Sequence, residues 1–284
     1  MASVSMCNEV IQPPRMFMRI PSKNGVLLTM PAFSESENAM ACKLVTAYPR
    51  NVEKGLSSII ATVLLFDPDT GKVSAIMDGN EITTWRTAAA SVVATKYLNN
   101  QTKTLAILGA GTQARSHAEA LDLFFNFTQI RIWNHRYERA QKLASNLEKE
   151  GKSVVTCRNA EECVQDADVI VTATFSSSPI LKKDWIKPGA HINAIGAGIS
   201  HHSELEMELY EIAVIYTDDM SSAKYELKGL LDAGISIFGE IGEVINGSKS
   251  AECNKITIFQ SLGMAVEDLV SAKLIYEEYK KMKK

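Results

Sequence analysis

The stretch TLAILGAGTQARSHAEAL at 104–121 constrains the fold more than any other part of this chain. An apolar run at 105–108 reads as a buried parallel strand. Gly109, Gly111 and Ala114 follow it at the spacing G-x-G-x-x-A, and a helix-forming segment comes next. That spacing alone also serves plain strand-to-helix connections. Between a strand and a helix it predicts a dinucleotide-binding turn. The first glycine permits the tight turn, and the second lets backbone approach a pyrophosphate. The small third residue lets the helix pack on the strand, and the helix N-terminus faces the phosphate charge. Thr112 and Gln113, inside the turn, join Gly109 and Gly111 as expected cofactor contacts.

From this point the pattern alternates. Strands are expected at 104–108, 130–133, 153–156, 169–172, 191–194 and 214–217, with helical segments between most of them. Strands alternating with helices argue for a doubly wound parallel sheet. The residues before 98 read as mixed strand and helix. Strands are expected at 26–30, 42–47, 61–66 and 73–77, with DPDTG at 67–71 as a turn and an alanine-rich helix at 86–98. A last helix is expected at 261–279, where Ala265, Leu269, Ala272 and Ile275 fall at helical spacing. The fold class is therefore α/β: a Rossmann-type doubly wound sheet over 99–264, plus an α+β domain from 1–98 and 265–284.

Composition excludes several function classes. With 284 residues, 46% of them hydrophobic and 22% charged, the chain is long enough for two packed cores. A formal net charge of -3 argues against a nucleic-acid or membrane-surface partner. The five cysteines are an odd number without a C-x-x-C, which predicts reduced thiols and a cytoplasmic setting. The opening MASVSMCNEVIQPP has no basic and apolar signal-peptide pattern. The apolar run at 59–66 is too short to span a bilayer. The histidines are not at ligand spacing, so no metal site is expected.

The second strand of the nucleotide half ends in Asn134, His135 and Arg136. NAD-binding turns usually carry an acid there for the ribose 2′-hydroxyl. Asn134 donates hydrogen bonds and Arg136 pairs with a phosphate, so NADPH is expected as the cofactor rather than NADH. Alternatively, Asn134 simply starts a turn and Arg136 is solvated. Thr172, Ala173 and Thr174 end the fourth strand, and Ile195 follows the fifth. Strand ends of this kind line the ligand crevice of an open α/β sheet, although β-propensity also explains the threonines. Thr87 is grouped with these cofactor contacts.

Three cations in the front half need a reason. Arg15 follows Gln12-Pro13-Pro14, Lys43 sits inside an apolar strand, and Arg86 opens the alanine-rich helix at the unfavourable end of its dipole. An anionic ligand is one reason; salt bridges or snorkelling are another.

The motifs QPPR (12–15), MPAF (30–33), KLVTAY (43–48), ATVLLFDPDTGKVSAIMDGNEIT (61–83) and RTAAASVVATKYL (86–98) run in a recognisable order. LGAGTQARSHAEAL (108–121), RIWNHRYERAQKLA (131–144), KPGAHINAIGA (187–197) and FQSLGMAVEDLVSAKLIYE (259–277) continue it. Together they resemble the ornithine cyclodeaminase/mu-crystallin family, and within it the ketimine reductases. The resemblance implies a homodimer, with the front domain and last helix forming the substrate and dimerisation surface. It implies NADPH-dependent reduction of the C=N bond of small cyclic imino acids, with binding of thyroid hormone-like ligands at the same pocket. It places the carboxylate-binding cations at Arg15, Lys43 and Arg86, of which Lys43 and Arg86 are the catalytic candidates, and a pocket acid near Glu226. Where cyclodeaminases carry an aspartate, this chain has Gly198 in GAGISHHSEL, so ornithine cyclodeamination is not expected. Two rivals stand beside the reductase: an amino-acid or opine-type dehydrogenase, and a non-catalytic NADPH-dependent binder of thyroid hormone-like molecules, for which Phe33, Ile59 and Ile60 are suitably apolar.

Overall fold

The structure, a computed structural model, describes residues 10–196 and 204–283. The chain divides into two compact units, one of Met6–Arg86 with Gly263–Lys284 and one containing Thr87–Leu262. The division falls within one helix.

In the first unit, β1 (Val10–Ile11), β2 (Met16–Ile20), β3 (Gly25–Ser34), β4 (Ala39–Ala47), β5 (Ile59–Phe66) and β6 (Val73–Asp78) form an antiparallel sheet. Its order is β1-β3-β4-β5-β6, with β2 also paired to β3. Period-two alternation turns one face inward. Leu28, Met30 and Ala32 on β3, Ala39 and Ala41 on β4, and Ala61, Val63 and Leu65 on β5 are all buried. Lys43 falls on the same alternation and is 2% exposed. The DPDTG turn forms as expected: Asp67 accepts from the Thr70 N–H and hydroxyl, and Gly71 takes φ +71°.

Helix α1 (Gly79–Leu98) begins seven residues before the expected start at Arg86. The Asp78 carboxylate accepts the Asn80 N–H at 2.8 Å, and the Asn80 side chain accepts the Ala61 N–H at 3.1 Å. Those polar contacts start the helix early and tie it to β5. Arg86 is consequently an interior helix residue and does not stand at the helix start.

The second unit holds an eight-stranded parallel sheet of order β13-β12-β14-β11-β10-β7-β8-β9. The chain runs through β7 (Thr104–Leu108), α2 (Thr112–Phe125), β8 (Gln129–Trp133), α3 (Tyr137–Lys149), β9 (Val154–Thr156), α4 (Ala160–Val164), β10 (Val169–Thr172) and β11 (His191–Ala194). It continues through α5 (Met207–Ile212), β12 (Val214–Thr217), α6 (Met220–Glu226), α7 (Lys228–Asp232), β13 (Gly239–Glu240), α8 (Ile241–Ile245) and β14 (Thr257–Gln260). Leu105, Ile107 and Val171 pack with α2 and α3 on one face; Ala106, Leu108 and Ile170 pack with α4, α5, α6 and α7 on the other. This is the expected doubly wound arrangement.

β14 was not legible as a strand, yet it inserts between β11 and β12. Its four residues run directly into the segment read as helix. Gly263, at φ +76°, breaks that continuity, so α9 (Ala265–Met282) starts four residues later than expected. α9 returns to the first unit and packs on β3, β4 and β5.

Candidate active site

In the second unit, the ends of four neighbouring strands are knitted together by backbone hydrogen bonds. Gly109 N donates to Trp133 O at 2.8 Å, Ala173 N to Leu108 O at 2.9 Å, and Ile195 N to Thr172 O at 2.9 Å. Because the strands are parallel, Gly109, Asn134, Ala173 and Ile195 all follow carboxyl ends at one edge of the sheet. The chain moves outward from β7 to β8 and then crosses back to β10, so Gly109 lies where the strand order reverses. Ligand crevices of open α/β sheets form at such points.

The turn there is made by glycine for two different reasons. Gly109 has φ +137°, and a Cβ on it would lie 2.5 Å from the carbonyl oxygen of Ala173. At Gly111 a Cβ would meet nothing within 4 Å, so the protein's own packing does not demand this glycine. Gly111 is also the N-cap of α2 and supplies no side-chain cap. The open space and the uncapped first turn, which includes Thr112 and Gln113, suit a pyrophosphate. Ala114, fully buried, packs α2 on the sheet. At the end of β8, Asn134 accepts the Arg136 N–H at 2.9 Å. Its side-chain carbonyl oxygen thus holds the turn, as the alternative reading of Asn134 has it. His135 and Arg136 are exposed, and Thr87 is buried on α1. These residues fit a dinucleotide.

A buried acid supports the same edge. Glu204, 3% exposed, accepts from Thr174 N at 2.7 Å, Thr174 Oγ1 at 2.5 Å and Gly196 N at 3.0 Å. It therefore ties the loop after β10 to the loop after β11. Burial pushes its carboxyl above the ordinary range, against the pull of these donors. A side chain at Gly196 would collide with this carboxylate.

In the first unit, the three expected cations gather around the start of α9. Lys43 Nζ lies 2.7 Å from Asp268 Oδ2, donates to Asp268 Oδ1 at 2.9 Å, and reaches Thr83 Oγ1 at 3.3 Å. Arg86 donates to Glu267 Oε2 at 2.8 Å, and its Nε is 3.4 Å from Asp268 Oδ1. Arg15 donates to the carbonyl oxygen of Gly263 at 2.9 Å. Gly263 leaves room for Arg86: a Cβ there would lie 2.5 Å from a guanidinium nitrogen.

Of the two explanations offered for these cations, the structure shows the salt bridges, at Lys43 and at Arg86. The mutual repulsion expected among bare cations is relieved by Glu267 and Asp268. Lys43 is pulled down to about 8, first by burial and then by the Arg86 charge, while Asp268 acts in the opposite sense.

Glu267 and Asp268 were missed by the sequence reading, although Asp268 carried a signal. It stands with Ala265, Leu269 and Ala272 at helical spacing, on the buried stripe of α9, and only a partner cation keeps an aspartate there. Glu226, the half-buried last residue of α6, belongs to the other unit. Gly198 lies outside the described residues.

The profile of the ornithine cyclodeaminase/mu-crystallin family matches residues 1–283. Ketimine reductase mu-crystallin of Rattus norvegicus is 46% identical over 271 residues, covering 95% of this chain and 86% of its own. The solved Δ1-pyrroline-2-carboxylate reductase of Thermococcus litoralis, in complex with NADH and L-proline, is similar with a TM-score of 0.90 at 33% identity. That match covers 96% of this chain and 88% of the other. An archaeal alanine dehydrogenase dimer with bound NAD gives a TM-score of 0.90 at 34% identity, covering 97% and 87%.

Proposed function

This chain belongs to the ornithine cyclodeaminase/mu-crystallin family, and from that premise we propose that it is a nicotinamide-dependent oxidoreductase that reduces the C=N bond of small cyclic imino acids. The carrying observation is the gathering of Arg15, Lys43 and Arg86 around the start of α9, with Lys43 buried. Three cationic donors in one place suit the carboxylate of a cyclic imino acid. Relatives named for ketimine and pyrroline-2-carboxylate reduction support the same substrate class.

When bound, the reduced nicotinamide supplies a hydride to the imine carbon. Everything else falls to side chains of this chain. Arg15 and Arg86 hold the carboxylate and so fix the reacting carbon; positioning of this kind supplies a large share of a barrier reduction. Lys43 adds a third donor. With its pKa near 8, its Nζ holds a proton at neutral pH yet is poised to release one. We assign it the task of keeping the imine nitrogen protonated, since an iminium accepts hydride more readily than a neutral imine. Asp268 and Thr83 orient that Nζ. Gly109, Gly111, Thr112, Gln113, Thr172, Ala173, Thr174, Ile195 and Thr87 hold the cofactor in this reading. Asn134 with His135 and Arg136 favours NADPH over NADH.

The functional unit in this reading is a homodimer. Ile11, Met16, Met18, Val73 and Ile76 leave large apolar side chains exposed on the antiparallel sheet, which suits an interface between copies. One structural relative is described as a dimer. Thyroid hormone-like molecules would compete for the same cations, their carboxylate standing in for that of the imino acid.

The test is a cofactor-oxidation screen of the purified protein. NADPH and NADH are each paired with cyclic ketimine carboxylates, then with keto acids plus amines. Turnover of the preformed ring without added amine supports the reductase. Turnover only with keto acid plus free amine makes the chain an amino-acid dehydrogenase, the alternative raised by its likeness to alanine dehydrogenase. NADPH binding without either turnover leaves a binding protein.

A further inference from the structure

We propose that Arg158, placed over the ring of Tyr137, is a specificity-determining residue that takes the 2′-phosphate of the cofactor together with Arg136. The inference rests on the NADPH reading above and names a residue that the sequence pattern did not single out. β9 pairs with β8 in parallel, with Thr156 opposite Ile132, and Cys157 N donates to Ile132 O at 2.9 Å. Two residues further along both strands, Arg158 comes level with Asn134. The residue that replaces the usual ribose-binding acid is therefore flanked by a cation on its own loop, Arg136, and by one on the neighbouring strand end.

Arg158 is exposed, and both its backbone and its side chain have partners. Its backbone N–H donates to Glu162 Oε2 at 3.0 Å, and Asn159 caps α4 by accepting the Glu162 N–H at 2.8 Å. Its guanidinium carbon lies 4.1 Å from the centroid of the Tyr137 ring. A guanidinium held over an aromatic ring keeps N–H groups for an anion, and its planar fork matches phosphate. Among the described residues neither Arg136 nor Arg158 is engaged in an ion pair with a carboxylate. Elsewhere among the described residues Arg115 pairs with Glu119 and Glu150, and Lys228 with Asp232. Two unneutralised guanidinium groups beside a non-acidic strand end make a subsite selective for a dianion.

The test is calorimetric titration of the full chain with adenosine 2′,5′-bisphosphate and with 5′-AMP, alongside fluorescence titration with NADPH and NADH. These probes read binding without turnover. Arg158→Ala is expected to weaken the bisphosphate and NADPH by about 10–100-fold, while 5′-AMP and NADH change by less than about 3-fold. Tyr137→Leu is expected to reproduce part of the loss, about 3–10-fold, because the guanidinium is then free to move. If the unmodified chain binds the bisphosphate no better than 5′-AMP, the NADPH reading itself fails and this assignment falls with it. If the unmodified chain prefers the bisphosphate and Arg158→Ala leaves that preference within 2-fold, Arg158 alone is refuted and the NADPH reading stands.

Discussion

Asp268→Asn separates the charge of the buried pair from its shape. Asn retains an acceptor at Oδ1, the atom to which Lys43 donates at 2.9 Å, but removes the negative charge. Both side chains are at most 2% exposed, so solvent screens the pair little. Unit charges about 4 Å apart interact by about 4 kcal/mol at an effective dielectric constant near 20. At 1.36 kcal/mol per pKa unit this is about 3 units. Lys43, which starts at about 8, is thereby expected to fall to about 5–6 after some relaxation. At pH 7.5 about three quarters of Lys43 is protonated in the native protein, against roughly 0.3–3% in the variant. The expected loss in kcat/KM toward a cyclic ketimine carboxylate is roughly 30–200-fold. The assay is cofactor absorbance from pH 5 to 9.5 at saturating cofactor. The alkaline limb should move from about 8 to about 5–6, and acid should restore activity. The imine titrates identically in both experiments, so the difference between the curves belongs to the protein. Stability gives a second readout. A lysine whose folded pKa lies below its unfolded value binds fewer protons when folded, so stability rises with pH between the two values. That window runs from about 8 to 10.5 in the native chain and opens about 2–3 units lower in the variant. A folded variant whose alkaline limb stays at 8 would refute the assignment of that limb to Lys43.

Lys43→Ala is expected to reduce kcat/KM by the equivalent of about 2–5 kcal/mol while cofactor affinity stays within about 2-fold; steady-state kinetics with parallel cofactor titration checks both. If imines lacking the carboxylate are reduced as well as those carrying it, the anion site is wrongly placed. Asn134→Asp sets a carboxylate against a 2′-phosphate and should reverse the NADPH preference in paired titrations. His117 and His191 are fully buried and pushed down to about 4 by burial. Their folded values lie below the unfolded value, so each should withdraw about 3 kcal/mol of stability as pH falls from 6.5 to 4, read as a falling Tm. Gly109→Ala meets both a φ of +137° and the Ala173 carbonyl, and is expected to lower Tm and abolish cofactor binding together.

How much of this was legible in the sequence follows from which interactions are local. The strands at 104–108, 169–172, 191–194 and 214–217 stand where their apolar runs put them, because a strand buried on both faces needs little beyond its own composition. β14 was hidden because TIFQ is short and leads, with only Ser261–Met264 between, into a strong helix. Only its partners on both sides make it a strand. The start of α1 was misplaced for a related reason: the polar stretch ahead of Arg86 is helical through contacts with Asp78 and β5.

The candidate site divides in the same way. Lys43 was conspicuous because a lysine at an inward register position demands a partner. Its partner is 225 residues away, so no local spacing connects the two. Yet the two oddities are symmetric, an ammonium on the buried face of β4 and a carboxylate on the buried stripe of α9. A chain that buries one ion must bury its complement or lose several kcal/mol per ion, and the same rule leads from Lys43 to Asp268.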